Sequence, residues 1–132
     1  MKYMLDTNIC IYAIKNASET LLDNIISCDE NEICISSITY AELVTGVIKS
    51  KYPEKNFVAL ISFLSSILVL PFDAYAAEVY GEVRANLENK GMPIGPMDTL
   101  IASHAKANNL TLVTNNTRVF DRVEGLNVEN WA

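Results

Sequence analysis

Four short apolar runs punctuate the chain: KYML at residues 2–5, EICIS at 32–36, ILVL at 67–70 and LTLV at 110–113. Runs of this length, rich in aliphatic and β-branched residues and bounded by polar positions, predict strands. The segments between them carry apolar residues three and four positions apart, which predicts helices. Helices are expected over residues 8–15, 19–27, 38–50, 53–66, 73–90 and 97–108. Ile38, Leu43 and Val47 recur on related faces of the third, Pro53 suits the first turn of the fourth, and Gly91 suits the end of the fifth. The longest apolar stretch, FVALISFLSSILVL at 57–70, reads as a buried helix running into a strand. A last short strand, LNVEN at 126–130, is expected at a sheet edge. Strands alternating with helices imply an α/β protein: a three-layer α/β/α fold with a central, mainly parallel sheet of four to five strands.

Composition narrows the class. The chain has 132 residues, half of them hydrophobic, which suits one domain over 1–132 with a substantial core. Its longest apolar stretch falls short of the ~18 residues that suggest a membrane span, and its first residues lack the pattern of a secretory leader. The expectation is a cytoplasmic protein. Cys10, Cys28 and Cys34 form no CxxC pair, and His104 is the one histidine. A disulfide framework or a Cys/His zinc site is therefore disfavoured, and the thiols read as reduced core residues. The net charge of −6 argues against a simple nucleic-acid-binding module, which carries a basic patch. It is compatible with an enzyme that gathers carboxylates around a divalent cation, because the ion can bridge an acidic site to a phosphate.

The first strand ends on a carboxylate, Asp6. Glu42 falls in the early turns of the helix after the second strand. Asp98 follows Pro96 at the start of a helix, and Asn115 and Asn116 follow the LTLV strand. In an open parallel sheet, ligands bind beyond the carboxyl ends of the strands, so these groups fall on one edge although they are far apart in sequence. Each has a plainer role alone: Asp6 as a helix N-cap, Glu42 and Asp98 as partners of a helix macrodipole. Their convergence favours a site. Thr7 and Thr114 place hydroxyls beside these acids, suited to orienting a carboxylate or a water, or to local turn hydrogen bonds.

The series LDTN, SSITYAEL with Gly46, RANLENKGMPIGPMDTLIASHA, LVTNNTRVF and GLNVENW resembles, in order and spacing, VapC-type toxins of the PIN-domain family. The resemblance spans essentially the whole chain. It implies a compact α/β/α fold, Mg²⁺-dependent endoribonuclease activity with Mn²⁺ as a substitute, and products with 3′-hydroxyl and 5′-phosphate ends. The family's metal-binding acids map onto Asp6, Glu42 and Asp98. Many PIN domains carry a fourth acid in a T-x-D pattern; here the residues are Thr114-Asn115-Asn116, and an amide at Asn116 weakens the case for a tightly held second metal. The resemblance also implies a homodimer and a VapB-type antitoxin whose tail sets a basic residue among the acids. Operator DNA is then a partner only through the antitoxin. The substrate it suggests is tRNA, with the anticodon stem-loop of initiator tRNA foremost.

Arg118 and Arg122, close behind the TNN segment, are candidates for RNA phosphate contact. Arg84 reads more simply as an intrahelical partner of its neighbouring glutamates, His104 and Trp131 as packed residues, and Asp73, Asp121 and Glu124 as caps or solvated charges. Two other functions compete. A metal-dependent phosphatase would read LDTN as a DxD nucleophile motif, but position 8 is Asn. A PIN fold kept for non-catalytic binding is motivated by the missing fourth acid.

Overall fold

A computed structural model describes residues Met1–Ala132. Five strands, β1 (Tyr3–Leu5), β2 (Ile33–Ser36), β3 (Leu68–Leu70), β4 (Thr111–Val113) and β5 (Val128–Glu129), form one sheet in the order β3-β2-β1-β4-β5, every neighbouring pair parallel. Seven helices complete the chain: α1 (Thr7–Ile14), α2 (Glu19–Ser27), α3 (Ser37–Lys49), α4 (Pro53–Leu64), α5 (Ala74–Asn89), α6 (Pro96–Ala107) and α7 (Thr117–Phe120). No helix is long and apolar enough to cross a membrane.

The central strands are mostly apolar, Ser36 and Thr111 apart, because both faces are covered. Side chains alternate across them. Met4, Cys34 and Leu112 join Val79, Val83 and Leu87 of α5 and Ile101, Ala102 and Ala105 of α6 in one core. Leu5, Ile33, Ile35 and Val113 join Ile9, Leu21, Leu43, Leu60 and Trp131 in the other. The sheet is thus sandwiched, with the α5–α6 pair on one side and α1 to α4 on the other.

Local signals set most boundaries. Asp6, Ser18 and Asp73 are N-caps whose side chains accept from Ile9, Leu21 and Ala76 N–H groups, and Pro53 and Pro96 open α4 and α6. At the end of α5, Gly91 takes φ +66°, and the N–H groups of Gly91 and Met92 donate back to Glu88 and Leu87 carbonyls. This is the left-handed cap that glycine permits without a Cβ penalty.

Two expectations fail locally. The 57–70 stretch does not begin as a buried helix: in α4 only Leu60 is buried, while Phe57, Val58 and Ile61 are exposed. The reason is that α4 packs on α3 and α1 rather than directly on the sheet, so one stripe is covered and the outer one is not. And α7 was absent from the expected helices, since four residues are too few to leave a periodic pattern.

The free thiols Cys10 and Cys34 are core residues, with Cys28 only partly buried. Trp131 is buried, meets Tyr3 edge-on at 4.7 Å between ring centroids, and donates its indole N–H to Glu129 Oε1 (3.0 Å).

Candidate active site

The strand order places the site. Connections run from central β1 outward to β2 and β3, then return across β1 to β4 and β5. The direction of winding therefore reverses between β1 and β4, and the crevice beyond that reversal is the place where open parallel sheets bind ligands. Asp6 ends β1 there; Thr114, Asn115 and Asn116 end β4 beside it. The Asp6 N–H donates to Val113 O at 3.0 Å, tying the two strand ends together.

Asp6 takes the capping role that the sequence offered and is buried beside the other acids. As the N-cap of α1 it accepts the Ile9 N–H on Oδ1 at 2.8 Å. It is also a buried carboxylate, 3% exposed. Burial raises its pKa from the ordinary 3.8 to about 6, and the charges of Asp98 and Glu42 push the same way. Hydrogen bonds from the Thr114 hydroxyl and the Ile9 N–H hold it down in part. Asp98, half-buried in the first turn of α6, is also raised, by burial first and then by Glu42. Asp6 at the end of β1 and Asp98 on α6 thus both lie near enough to Glu42 of α3 to feel its charge.

Hydroxyls fix this cluster. Thr7 Oγ1 donates to Glu42 Oε1 at 2.6 Å, and Thr39 Oγ1 stands 3.3 Å from Thr7 Oγ1. The pair ties α1 to α3 across 35 positions of sequence. Thr114 is fully buried and accepts the Asn116 N–H at 2.9 Å. Asn116 begins α7 with no side-chain cap and is exposed; Asn115 is half-buried.

The acids do not close into a set of three ligating groups. Each is partly committed to its own surroundings, with one Asp6 oxygen on Ile9 and one Glu42 oxygen on Thr7. The donor chemistry nonetheless fits a hard divalent cation, because all the groups offer oxygen. A carboxylate that is buried and faces two like charges gains most from such an ion.

The basic candidates diverge. Arg118, on α7, is exposed. Arg122 donates from Nη1 to Pro93 O at 3.2 Å, bracing the loop that leads into Asp98. Arg84 pairs with Glu88 at 3.0 Å, and Tyr80 Oη lies 3.1 Å from its Nη1. Asp121 is the C-cap of α7, and Glu124 pairs with Lys90 at 2.9 Å.

His104 is buried at 1% exposure, with Nδ1 2.8 Å from Ser36 Oγ and its ring edge-on to Phe72. Burial lowers its pKa. Ser36 also accepts the Ile38 N–H as the N-cap of α3. The histidine on α6 therefore ties the helix of Asp98 to the start of the helix of Glu42. The bonds of Thr39 and Ser36 have no signature in the sequence: hydroxyls at helix starts carry no pattern that distinguishes a bridge from a cap.

A groove of about 420 Å³ opens beside the acids between α1, α3 and α4. Ile11, Ile14, Leu43, Val47 and Leu60 line it, and Glu42 borders it.

Comparison with known proteins gives a consistent set of relatives. The PIN domain model matches residues 3–126. The chain is 46% identical over 132 residues to a protein named tRNA(fMet)-specific endonuclease VapC from Shigella flexneri, covering 100% of this chain and 99% of that one. It is 50% identical to Ribonuclease VapC2 from Rickettsia felis, covering 99% and 98% of the two. Among solved structures, VapBC2 from Rickettsia felis bound to a promoter DNA fragment superposes with TM-score 0.95 at 49% identity over the whole of both chains. VapBC-1 from nontypeable Haemophilus influenzae gives TM-score 0.90 at 34% identity, covering 99% and 98%.

Proposed function

The chain belongs to the PIN-domain family, and on that premise we propose that it is a VapC-type endoribonuclease toxin that uses Mg²⁺, or Mn²⁺ in its place, to hydrolyse RNA phosphodiesters. One observation carries the reading: Asp6, Glu42 and Asp98 come from three separate elements, and at the reversal point of the sheet Asp6 feels the charge of both other acids. The relatives named as VapC ribonucleases supply the class of reaction.

These three acids are the groups that would hold the ion. A carboxylate has about four lone-pair sites, so the bonds from Ile9 and Thr114 leave Asp6 capacity for a cation. Thr7 steadies Glu42 through the bond at 2.6 Å. The chemistry a bound ion would supply there is a more acidic water and shielding of charge on the phosphate. No side chain need act as nucleophile. The raised pKa of Asp6 implies that metal uptake releases protons near pH 6. Arg118 and Arg122 would meet RNA phosphates flanking the site, and Asn116 would serve as a neutral ligand or a hydrogen-bond partner of the substrate.

For substrate we propose tRNA, with the initiator anticodon stem-loop as the first candidate, because the relative from Shigella flexneri is named for tRNA(fMet). For partner we propose a VapB-type antitoxin, as in the VapBC structures. The apolar groove bordered by Glu42 suits an apolar tail segment carrying one basic residue to the acids, and the net charge of −6 favours it. A homodimer is part of the same proposal, and the exposed Phe57, Val58 and Ile61 leave apolar surface for such assemblies.

The test is to incubate the purified protein with total tRNA in Mg²⁺, in Mn²⁺ and in EDTA, beside Asp98→Asn, and to map the cut ends. Cutting that needs metal and is lost in the variant is expected, with 5′-phosphate ends. Cutting that survives in EDTA or in Asp98→Asn would overturn the reading. A binding-only PIN fold is favoured by one observation, the open arrangement of the acids. It predicts no cutting even after the protein is refolded free of any inhibitor.

A further inference from the structure

A second, smaller hollow, which the proposed reaction does not use, lies at the loop that leads into Asp98. It has a volume of about 230 Å³ and is walled by Tyr80, Arg84 and Glu88 of α5 and by Pro93, Ile94 and Pro96 of the loop before α6. Its place follows from the fold. Helices α5 and α6 pack together and are joined only by residues 90–95, so the end of α5 lies beside the start of α6. Asp98 is in that first turn. The hollow therefore shares the loop that presents Asp98 to the acid cluster.

Its chemistry differs from that of the acid site. Tyr80, Arg84 and Glu88 stand four residues apart on one face of α5, and the guanidinium is held by both neighbours, at 3.1 Å from Tyr80 and 3.0 Å from Glu88. Arg122 donates to Pro93 O of the same loop, and Arg118 lies on α7 after the end of β4. The three arginines of this acidic chain are thus on α5, on α7 and just after α7. The volume falls below the about 300–1,000 Å³ usual for a whole small-molecule ligand and suits one part of a longer chain.

The geometry points to this hollow as a subsite for one nucleotide of the RNA strand flanking the cut. The nucleotide's phosphate meets the Arg84 guanidinium, and its base lies against the Tyr80 ring and the prolines. Arginine's planar fork matches a phosphate, and an aromatic ring accepts any base on its face. Glu88 competes with the phosphate for the same guanidinium, so it sets how strongly the subsite binds. The inference rests on the ribonuclease reading and names where its substrate is gripped beyond the scissile bond.

The experiment measures binding of a single-stranded RNA oligonucleotide and of tRNA to Asp98→Asn protein across a salt series, with Arg84→Ala, Tyr80→Leu or Glu88→Gln added. The expected result for Arg84→Ala is an affinity about tenfold weaker, with the slope of log K against log salt shallower by about 0.7, the value for one phosphate contact to a single strand. Tyr80→Leu should weaken binding with little change of slope. Glu88→Gln should tighten it. An ion pair that served only to support the helix would give the opposite pattern: Arg84→Ala and Glu88→Gln would both lower the melting temperature and neither would alter RNA affinity. Unchanged affinity and slope in Arg84→Ala would overturn the subsite, even where the parent enzyme cuts RNA in a metal-dependent way. Failure of the parent enzyme to cut is the separate result that overturns the nuclease reading.

Discussion

Asp6→Asn isolates the electrostatic strain at the heart of the site. In the folded protein the Asp6 pKa rises from 3.8 to about 6, so the native state holds this proton more tightly than the unfolded chain does. Stability is then lost as pH rises from about 4 to 6, and the penalty is complete above 6. At about 1.4 kcal/mol per pH unit the rise corresponds to about 3 kcal/mol of destabilisation at neutral pH. Asparagine keeps the shape and remains a good N-cap for the Ile9 N–H, so it removes the charge and little else. Asp6→Asn should therefore be more stable than the parent by about 1–3 kcal/mol at pH 7.5, with the gain fading to nothing near pH 4. The assay is urea unfolding of both proteins in EDTA from pH 4 to 8. The difference between the two curves is the readout, because His104 shifts in the opposite sense and cancels between them. Adding Mg²⁺ should then raise the stability of the parent and not of the variant. A variant equal to or weaker than the parent at pH 7.5, with no pH dependence in the difference, would refute the claim that a buried charge strains this site.

Other outcomes follow from the same geometry. Thr7→Val removes the proton that steadies Glu42; RNA cleavage should fall by roughly 10–100-fold, as with other partners of metal-holding groups, and recover partly at high Mg²⁺. His104→Leu removes the buried link to Ser36 and should cost about 1–3 kcal/mol in urea unfolding at pH 7. That loss should shrink below pH 6.5, where burying a neutral histidine already penalises the parent fold. Asn116→Asp restores an acid at an exposed position beside the cluster, and a titration followed by calorimetry should show tighter Mn²⁺ binding than in the parent.

What the sequence determined by itself was the set of local decisions. Alternation of apolar runs with helical spacing specified a parallel α/β sheet, because strands buried on both faces are mostly apolar. Asp6, Asp73, Pro53 and Gly91 stopped or started helices through bonds and dihedral preferences that span only a few residues. The same locality placed Asp6 and Asn116 just beyond strand ends and Glu42 and Asp98 in the early turns of helices. Tertiary structure decided which of these meet and how. Setting β4 beside β1 puts Thr114 against Asp6, and that choice depends on which faces bury together across more than 100 residues of chain. The Thr7–Glu42 bond, the His104–Ser36 bridge and the Arg122 grip on Pro93 arise from packing between distant elements, and no short pattern encodes them. The exposure of α4 was hidden for the same reason: hydropathy says that a helix has an apolar side, but only the arrangement of its neighbours says whether that side is covered.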